Sequence, residues 1–304
     1  FYQQKKGHEC TVISPNTIPD FLKWMPGIDQ VLVFEENREE VIKVLNKASI
    51  LFCLDFNDLS RTKSLEQSLH SFQGIRVMID HHLAPSTIFD YGINIPAKSS
   101  TCEMLYDYIQ SNQDEGMIDL DIAQNLYAGA MTDTGSFKFP CTTASVHQMV
   151  AVLMEKGIDT ANIHSAIFDT FKENRLRFLG YILSEKMQVS HAQHAAIISV
   201  SSEEMNKFKL STGDTEGIVN YPLSIKEVIF STFISERENE IRMSFRSKGS
   251  FDVNQFARTY FNGGGHANAA GGKSELSLQA TMKKLQQLLL DNENKLIQCY
   301  QESL

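Results

Sequence analysis

The sequence predicts an α/β fold in which a parallel sheet flanked by helices is followed by a smaller α/β domain at the C-terminal end. In the first half, short apolar β-rich runs alternate with amphipathic helical stretches, as in a parallel sheet covered by helices. After about residue 160 the pattern becomes helical and polar, and it then returns to strands. At 304 residues the chain also exceeds the size at which one core usually stops growing, so two domains are expected.

The first half is predicted to contain four strands and five helices. Residues 1–7 have the pattern of the last turns of a helix that Gly7 ends. The predicted strands cover residues 10–14, 30–34, 50–56 and 75–80. The predicted helices cover residues 38–47, 65–72, 100–110, 120–132 and 144–156.

The second half begins with polar helices and continues with strand-like runs. Helical spacing extends over residues 163–168 and 173–187, strands are predicted over 195–200, 227–235 and 240–246, and a turn at 236–239 joins the last two strands. A helix over 253–261 leads into the glycine-rich segment 262–272, and a long helix is predicted over 278–301. These patterns predict a first domain over residues 1–172, a helical linker over 173–193 and a second domain over 194–304.

Composition and charge restrict the class of function. Apolar residues make up 42% of the chain and charged residues 21%, and no apolar run approaches the length of a membrane span, so no membrane partner is expected. The formal net charge of −9 argues against a long grip on a polynucleotide backbone, because that grip needs many lysines and arginines. A small anionic substrate held by a few cations or metal ions remains compatible with this charge.

The five cysteines indicate neither a disulfide framework nor a thiolate zinc site. They are odd in number, widely spaced and without a C-x-x-C pair, which favours free thiols in a reducing cytoplasm. They are Cys10, Cys53, Cys102, Cys141 and Cys299.

Carboxylates and histidines follow two of the predicted strands directly. Asp55 ends one apolar run, and Asp80 ends the next and is followed by His81 and His82. Open α/β sheets place their ligands at the carboxyl ends of parallel strands, so these side chains are expected to converge. Such a set supplies the ligands that Mn²⁺, Mg²⁺ or Zn²⁺ accept. Asp133, at the end of a mostly apolar predicted helix, is a further candidate, although an Asp beside Thr and Gly is usually a turn or cap residue.

The glycine-rich segment of the second half is a candidate for anion binding. Gly263, Gly264 and Gly265 remove side chains so that backbone N–H groups can approach an anion, and His266 and Asn268 add possible donors. A flexible surface turn is the alternative interpretation, but the small residues and the second glycine pair that follow favour close packing. Outside this segment, Arg246 lies at the end of a predicted strand, and its planar guanidinium suits a bidentate contact with a substrate phosphate.

Together these motifs resemble the DHH phosphoesterase superfamily. Asp55 in Leu-Asp-Phe-Asn-Asp-Leu-Ser-Arg, the Asp80-His81-His82 triplet and Asp133 look like its second, third and fourth motifs, and Gly-Gly-Gly-His-Ala-Asn-Ala-Ala-Gly-Gly at 263–272 resembles the signature of the companion DHHA1 domain. The form of the motifs is most similar to the bacterial bifunctional oligoribonucleases that also act on 3′-phosphoadenosine 5′-phosphate, the nanoRNases.

The resemblance implies a two-metal site, usually with manganese, on the first domain, and a substrate-binding second domain. It implies that Asp55 bridges the metals and that His81 and Asp133 are ligands. It also implies that His82 contacts the scissile phosphate and that Asp80 orients a histidine. As part of the second motif, Arg61 is expected to brace the site or the substrate. A short RNA or a nucleotide is the expected substrate, and the resemblance leaves a homodimer open.

One part of the family pattern is not found. The first motif, roughly His-x-x-x-Asp-x-Asp, has no match before Asp55, because His8 and Asp20 do not have its spacing. The expected explanation is that a first strand, that motif and most of a helix precede the sequence given. The alternative is a protein that cannot bind its metals properly.

The leading functional prediction is hydrolysis of very short RNA from an end, together with removal of the 3′-phosphate of 3′-phosphoadenosine 5′-phosphate. A phosphodiesterase for linear or cyclic dinucleotides and a RecJ-type single-strand exonuclease share this chemistry and remain alternatives. The glycine-rich signature disfavours a type II pyrophosphatase. From a different class, a non-catalytic nucleotide-binding module would keep the fold without the first motif.

Overall fold

Residues 1–210, 213–237 and 240–304 are described by the computed structural model, and they divide into two units, residues 1–170 and 171–304. Part of the turn predicted at 236–239 therefore lies outside the described residues.

The first unit contains five strands and seven α-helices among its described residues. The strands are β1 (Ile13–Ser14), β2 (Leu32–Val33), β3 (Ile50–Leu54), β4 (Ile75–Asp80) and β5 (Tyr91–Asn94). The helices are α1 (Tyr2–Lys5), α2 (Arg38–Lys47), α3 (Glu66–His70), α4 (Thr101–Ser111), α5 (Leu120–Asp133), α6 (Ala144–Glu155) and α7 (Thr160–Phe168).

The strands of the first unit are parallel, as predicted. β1 pairs with β2, and β3, β4 and β5 form a three-stranded sheet in that order. In this sheet Leu54 lies opposite Ile79, and Asp80 lies opposite Asn94. The carboxyl ends of the three strands therefore meet at one edge. β5 was not predicted, because its four residues are mostly exposed and give no buried apolar run.

Helix α2 shows how the sequence covers one face of this sheet. Val41 and Leu45 are four residues apart, so they lie on one side of the helix, and both are buried in a cluster that includes Cys53 of β3. Burial of each such side chain contributes about 1.5–3 kcal/mol. Along β3 the burial alternates, and Phe52 and Leu54 on the opposite face are 42% and 41% exposed.

The second unit is a mixed sheet with helices. Its strands are β6 (Met187–Ser190), β7 (Ala195–Val200), β8 (Phe230–Glu236), β9 (Ile241–Ser247), β10 (Gly264–His266) and β11 (Ala269–Ser274). Its α-helices are α8 (Glu173–Tyr181), α9 (Ser202–Lys207), α10 (Val253–Tyr260), α11 (Leu278–Asp291) and α12 (Glu293–Glu302). The strand order is β10-β11-β9-β8-β7-β6, and among these strands of the described residues only β7 and β8 pair in parallel.

Two segments of the second unit differ from their predicted form. The segment predicted as a helical linker, residues 173–193, is a helix, a π-helical turn and strand β6, and its Phe178 and Ile182 are fully buried in this unit's core. The helix predicted over 278–301 is two helices, because Asn292 leaves the helical conformation with φ −107° and donates its side-chain amide to the carbonyl of Leu288 at 2.8 Å.

All five cysteines carry free thiols, as expected. None of the helices in the described part of the chain has the length and apolar character that crossing a bilayer requires.

Candidate metal centre

The edge at which β3, β4 and β5 end carries the predicted acidic residues. Asp55 follows β3 directly and has a φ of 65°, a left-handed conformation that few residues other than glycine adopt. Its backbone N–H still donates to the carbonyl of Ile79 at 3.1 Å, so the residue turns while it remains attached to β4. Because of this turn, the Asp55 side chain does not continue the alternation of side chains between the two faces of β3.

Three side chains predicted as metal ligands meet at this edge. Nε2 of His81 lies 3.5 Å from Oδ1 of Asp55 and 3.9 Å from Oδ2 of Asp133, the last residue of α5. One ligand atom from each of the three lies within 4.8 Å of the others. The structure therefore gathers residues that stand far apart in the sequence.

A backbone carbonyl orients His81. Its Nδ1 lies 3.1 Å from the carbonyl oxygen of Lys98, which can only accept a hydrogen bond, so Nδ1 must carry the proton. The lone pair of the neutral ring is then on Nε2, the atom that faces Asp55 and Asp133. Buried Glu103 holds the Lys98 turn by accepting from the Ser99 N–H at 2.8 Å and from Lys98 Nζ at 2.9 Å.

His82 is held by a different set of contacts. Its Nδ1 lies 2.7 Å from Oδ1 of Asp80, and its backbone N–H donates to the other oxygen of that carboxylate at 3.0 Å. On the opposite side of the ring, Nη2 of Arg61 lies 3.2 Å from Nε2. Because a guanidinium only donates, Nε2 accepts this bond, and Nδ1 donates to Asp80. Asp80 is fully buried, so this half of the arrangement is shielded from water.

Asn57, Asn94 and Thr101 support the centre, and sequence reasoning did not name them. Asn57 donates to the carbonyls of His82 and Leu83 at 3.0 and 3.1 Å, and Asn94 donates to the His82 carbonyl at 2.9 Å. Thr101, at the start of α4, donates to Oδ1 of Asp55 at 2.9 Å. The only sequence signal was the position of Asn57 inside the second motif.

Asp55 and Asp133, whose side chains are partly exposed, have opposite pKa shifts. Burial acts to raise the pKa of Asp55, but hydrogen bonds from His81 and Thr101 outweigh it and hold the pKa below its usual range. For Asp133, burial and then the nearby charge of Asp55 raise the pKa to about 6. Burial acts to lower the pKa of His81, and its contact with Asp55 reverses that effect. A divalent cation at this position would therefore compete with protons for the side chains of Asp55, His81 and Asp133.

This donor set suits a divalent cation. Carboxylate oxygens and an imidazole nitrogen are ligands for Mn²⁺, Mg²⁺ or Zn²⁺. Asp55 and Asp133 repel each other, as the raised pKa of Asp133 shows, and a cation between them would replace that repulsion by attraction. The geometry thus provides a possible acidic and histidine metal site.

In the second unit, the predicted glycine run is a strand with little space around it. Gly264, Gly265 and His266 form β10, which pairs with β11. A Cβ on Gly263 would overlap the carbonyl oxygen of Gly271, and one on Gly265 would overlap that of Ala269. Close backbone packing therefore requires glycine at these two positions, and the N–H of Gly265 is already bonded to Oδ1 of Asn254 at 2.9 Å.

The remaining predicted substrate contacts in this unit lie near that hairpin. Asn268 donates its amide hydrogens to Oγ of Ser247 at 2.9 Å and to the carbonyl of Gly249 at 3.0 Å, so the structure shows it bracing the chain. Arg246 lies in β9 opposite Ala269. The roles of Asn268, Arg246 and His266 in binding substrate stay predictions.

Two family models match the chain. The model described as the DHH family, N-terminal domain, matches residues 10–130, and the model described as the DHHA1 domain matches residues 192–291. Asp55, Asp80, His81 and His82 lie inside the first match, and the glycine run lies inside the second.

Several known proteins are similar over much of the chain. The bifunctional oligoribonuclease and PAP phosphatase NrnA of Bacillus subtilis is 29% identical over 65% of this chain and 62% of its own length, so the chain spans less than two thirds of that relative. The protein of the same name from Thermus thermophilus is 26% identical over 83% of this chain and 71% of its own. A crystal structure of an exopolyphosphatase-related protein from Bacteroides fragilis has a TM-score of 0.92 at 38% identity, over 97% of this chain and 86% of that one.

Proposed function

Because the chain belongs to the DHH family and carries a DHHA1 domain, we propose that it is a metal-dependent phosphoesterase with two Mn²⁺ ions as cofactors. We propose that it hydrolyses short oligoribonucleotides from an end to mononucleotides and removes the 3′-phosphate of 3′-phosphoadenosine 5′-phosphate. The names of the Bacillus and Thermus relatives support this choice of substrates.

One observation carries the proposal. Asp55, His81 and Asp133 come from a strand end, the following strand end and a helix end, and they still place ligand atoms within 4.8 Å of one another. A purely structural cluster would be expected to neutralise its carboxylates with lysine or arginine. Here Asp133 instead has a pKa raised to about 6 by burial and by Asp55, an arrangement that favours a cation ligand.

In the proposed mechanism, Asp55, His81 and Asp133 would hold the divalent cations. When bound, divalent cations supply electrophilic activation of the phosphate ester and of water. The Lys98 carbonyl keeps the His81 proton on Nδ1, so that Nε2 faces the metal position. His82 contacts the scissile phosphate, and Asp80 fixes the orientation of the His82 ring. Arg61 lies next to Nε2 of His82 and adds a positive charge for the same phosphate.

The second unit is proposed to bind the rest of the substrate. Arg246 and His266, with the backbone of Gly263 to Gly265, are assigned to a terminal phosphate or nucleotide edge. The role of Asn268 is to hold the turn that presents them, in agreement with its bonds to Ser247 and Gly249.

A hydrolysis panel tests the proposal. The full-length protein is assayed with Mn²⁺ on diribonucleotides, longer RNA, single-stranded DNA, cyclic dinucleotides and 3′-phosphoadenosine 5′-phosphate. We expect turnover of the diribonucleotide and of 3′-phosphoadenosine 5′-phosphate to exceed that of the other substrates. Preferred turnover of cyclic dinucleotides or of long DNA would replace the substrate assignment, and nucleotide binding without turnover would indicate a non-catalytic module.

Two substitutions test the metal assignment. His81→Ala and Asp133→Ala each remove one of three ligands, so Mn²⁺-dependent hydrolysis should fall by about a thousandfold or more. Suitable controls are His70→Ala, at an exposed histidine, and Asp121→Ala, at the other end of α5. Unchanged turnover in either ligand variant, with normal activity in both controls, would refute the assignment.

A further inference from the structure

A groove on one face of the sheet in the second unit has no role in the function proposed above, apart from Arg246 at its border. It has a volume of about 630 Å³. Arg242, Ser244 and Arg246 alternate along β9, so their side chains lie on one face of the sheet. The pairing of β8 with β9 places Phe233 and Ser235 on the same face. The groove therefore runs along most of the length of strand β9.

A short segment of backbone forms the opposite wall of this groove. It runs from Gly213 to Gly217, and both glycines have a positive φ. Arg175 of α8 holds this wall by donating to the carbonyl of Asp214 at 2.9 Å and to that of Glu216 at 2.8 Å. The Arg175 guanidinium is buried and lies 3.4 Å from the centre of the Phe171 ring. The wall is therefore tied to the core of the unit.

The lining of the groove is rich in guanidinium groups. Three arginines, Arg237, Arg242 and Arg246, face two carboxylates, Glu216 and Glu240. Glu240 is shared, because its oxygens lie 2.6 Å from Nε of Arg242 and 3.1 Å from Nζ of Lys273. In a chain with a net charge of −9, a local excess of cations is unusual and favours an anionic ligand.

Two of these arginines form no ion pair with a carboxylate of the described residues, although the charge of Glu216 acts on Arg246. Within the part of the chain that the structure describes, neither Arg246 nor Arg237 forms a salt bridge, and Arg246 donates Nη1 to the carbonyl of its neighbour Phe245 at 2.9 Å. Surrounding protein atoms displace part of the water around both guanidinium groups and so lower the pKa of each, and the charge of Arg242 adds to the effect at Arg237. Ser231, opposite Arg246 in β8, is fully buried, and its Oγ has no hydrogen-bond partner among the described residues.

We propose that this groove binds a linear chain of phosphate groups and that Arg242 and Arg237 extend the contact made by Arg246 to at least one further phosphate. Arg242 and Arg246 are four residues apart on a strand, so their Cα atoms are separated by roughly 13 Å. That spacing suits two separate phosphates of one chain better than a single ion. Resting on the proposed function, the inference identifies the chain as the backbone of a short oligoribonucleotide longer than two residues.

Equilibrium binding tests the groove directly. Binding of a fluorescent pentaribonucleotide to the full-length protein is measured with EDTA, to prevent hydrolysis, over a series of salt concentrations. Arg242→Gln and Arg237→Gln should each weaken binding about three- to tenfold and reduce the slope of log Kd against log salt by about 0.7. Arg242 is 56% exposed and Arg237 is also exposed, so both variants should keep the wild-type Tm.

Two further variants sharpen the binding test. Glu240→Gln removes a negative charge from the groove and frees Arg242 and Lys273, so it should tighten binding several-fold. Arg177→Gln is the matched control, because Arg177 is 72% exposed, is paired with Glu173 and does not line the groove. Unchanged Kd and salt slope in both groove-arginine variants, or weaker binding in Glu240→Gln, would overturn the inference.

A competition experiment identifies the source of the phosphates. Unlabelled pentaribonucleotide should displace the probe at a lower concentration than inorganic tripolyphosphate does. The ratio of the two displacing concentrations should be the same in the Arg177→Gln control as in the wild type. The reverse order would overturn the assignment to RNA and assign the groove to linear polyphosphate. Failure of this inference can be distinguished from failure of the proposed function. If RNA binding depends on the arginines but RNA is not hydrolysed, only the proposed function is refuted. If RNA is hydrolysed but its binding does not depend on the arginines, only the inference about the groove is refuted.

Discussion

The metal centre of the first unit and the arginine groove of the second place charge in opposite ways. The candidate metal centre uses short side chains whose positions the backbone fixes. Asp55 and His81 each follow a strand directly, and Asp133 is the last residue of a helix. The groove uses long side chains on the face of β9, where their spacing follows the pleat. The first arrangement can hold a small ion, and the second can accommodate an extended ligand.

This contrast shows which sites a sequence can disclose. Residues that end strands are marked by the apolar runs before them, and they converge for any parallel pairing of those strands. For a residue on the face of a strand, the neighbouring side chains depend on the register in which that strand pairs with the next one. Arg242 and Arg237 face one groove because β8 pairs with β9 at Ser235 and Arg242, a fact that no local pattern encodes.

The largest effect within this comparison should come from Asp80→Asn. The side-chain amide of asparagine cannot accept from Nδ1–H of His82 and from the His82 backbone N–H as the carboxylate does, so the orientation of the ring is lost. Hydrolysis should fall about a hundredfold, or about 3 kcal/mol, through kcat. Mn²⁺ affinity and metal-free RNA binding should stay within about twofold, as titration calorimetry and fluorescence would measure. A parallel loss of RNA binding would show that the two regions are not separable in this way.

A medium effect is expected from Gly265→Ala in the second unit. A Cβ at this position would overlap the carbonyl oxygen of Ala269 between β10 and β11, and the substitution should destabilise the protein by about 2 kcal/mol in urea unfolding. Gly264→Ala is the matched control, since its Cβ would meet atoms no closer than 3.5 Å, and its stability should remain near wild type. Equal stability of the two variants would show that the glycine run is a loose turn.

The smallest effect concerns stability and pH in the metal centre. In the folded protein the pKa of Asp133 is raised to about 6, so ionisation of this carboxyl opposes folding. The free energy of unfolding should therefore fall as the pH rises from the pKa of Asp133 in the unfolded chain through about 6. Asp133→Asn should therefore stabilise the metal-free protein by about 1 kcal/mol at about pH 8, a value reduced for its partial exposure, and by about half as much at about pH 5, where the pH lies between the unfolded and folded pKa values. Thermal unfolding at the two pH values measures this, and an equal gain at both would exclude ionisation of Asp133 as the cause.

Much of the first unit could be predicted because its signals are local. The periodicity predicted the bounds of β4 and α2 as the structure has them, and the carboxylates that follow the strands pointed to the edge where the candidate metal site lies. The supports of that centre could not be predicted. Thr101 reaches Asp55 across 46 residues, and the Lys98 group that orients His81 is a backbone carbonyl, which no residue type signals.

The second unit was less predictable for a related physical reason. Strands β10 and β11 consist mainly of glycine and alanine, which lack the β-branched pattern of a strand and are held by close backbone packing. Residues 173–193 were predicted to be a linker because they begin with a run that is mostly polar, whereas in the structure Phe178 and Ile182 join the core with Leu179, Tyr181 and Leu183 packed beside them.

The contacts of His82 also have a consequence for timing. On one side of the ring Asp80 is buried and fixed during folding, and on the other Arg61 is exposed to water. Exposed side chains change rotamer within picoseconds to nanoseconds, far faster than a buried strand end can rearrange. A phosphate oxygen, which only accepts, takes over the contact at Nε2 when that atom gains a proton, while the proton on Nδ1 stays in place. Movement of Arg61 away from Nε2 should therefore not limit the rate of turnover.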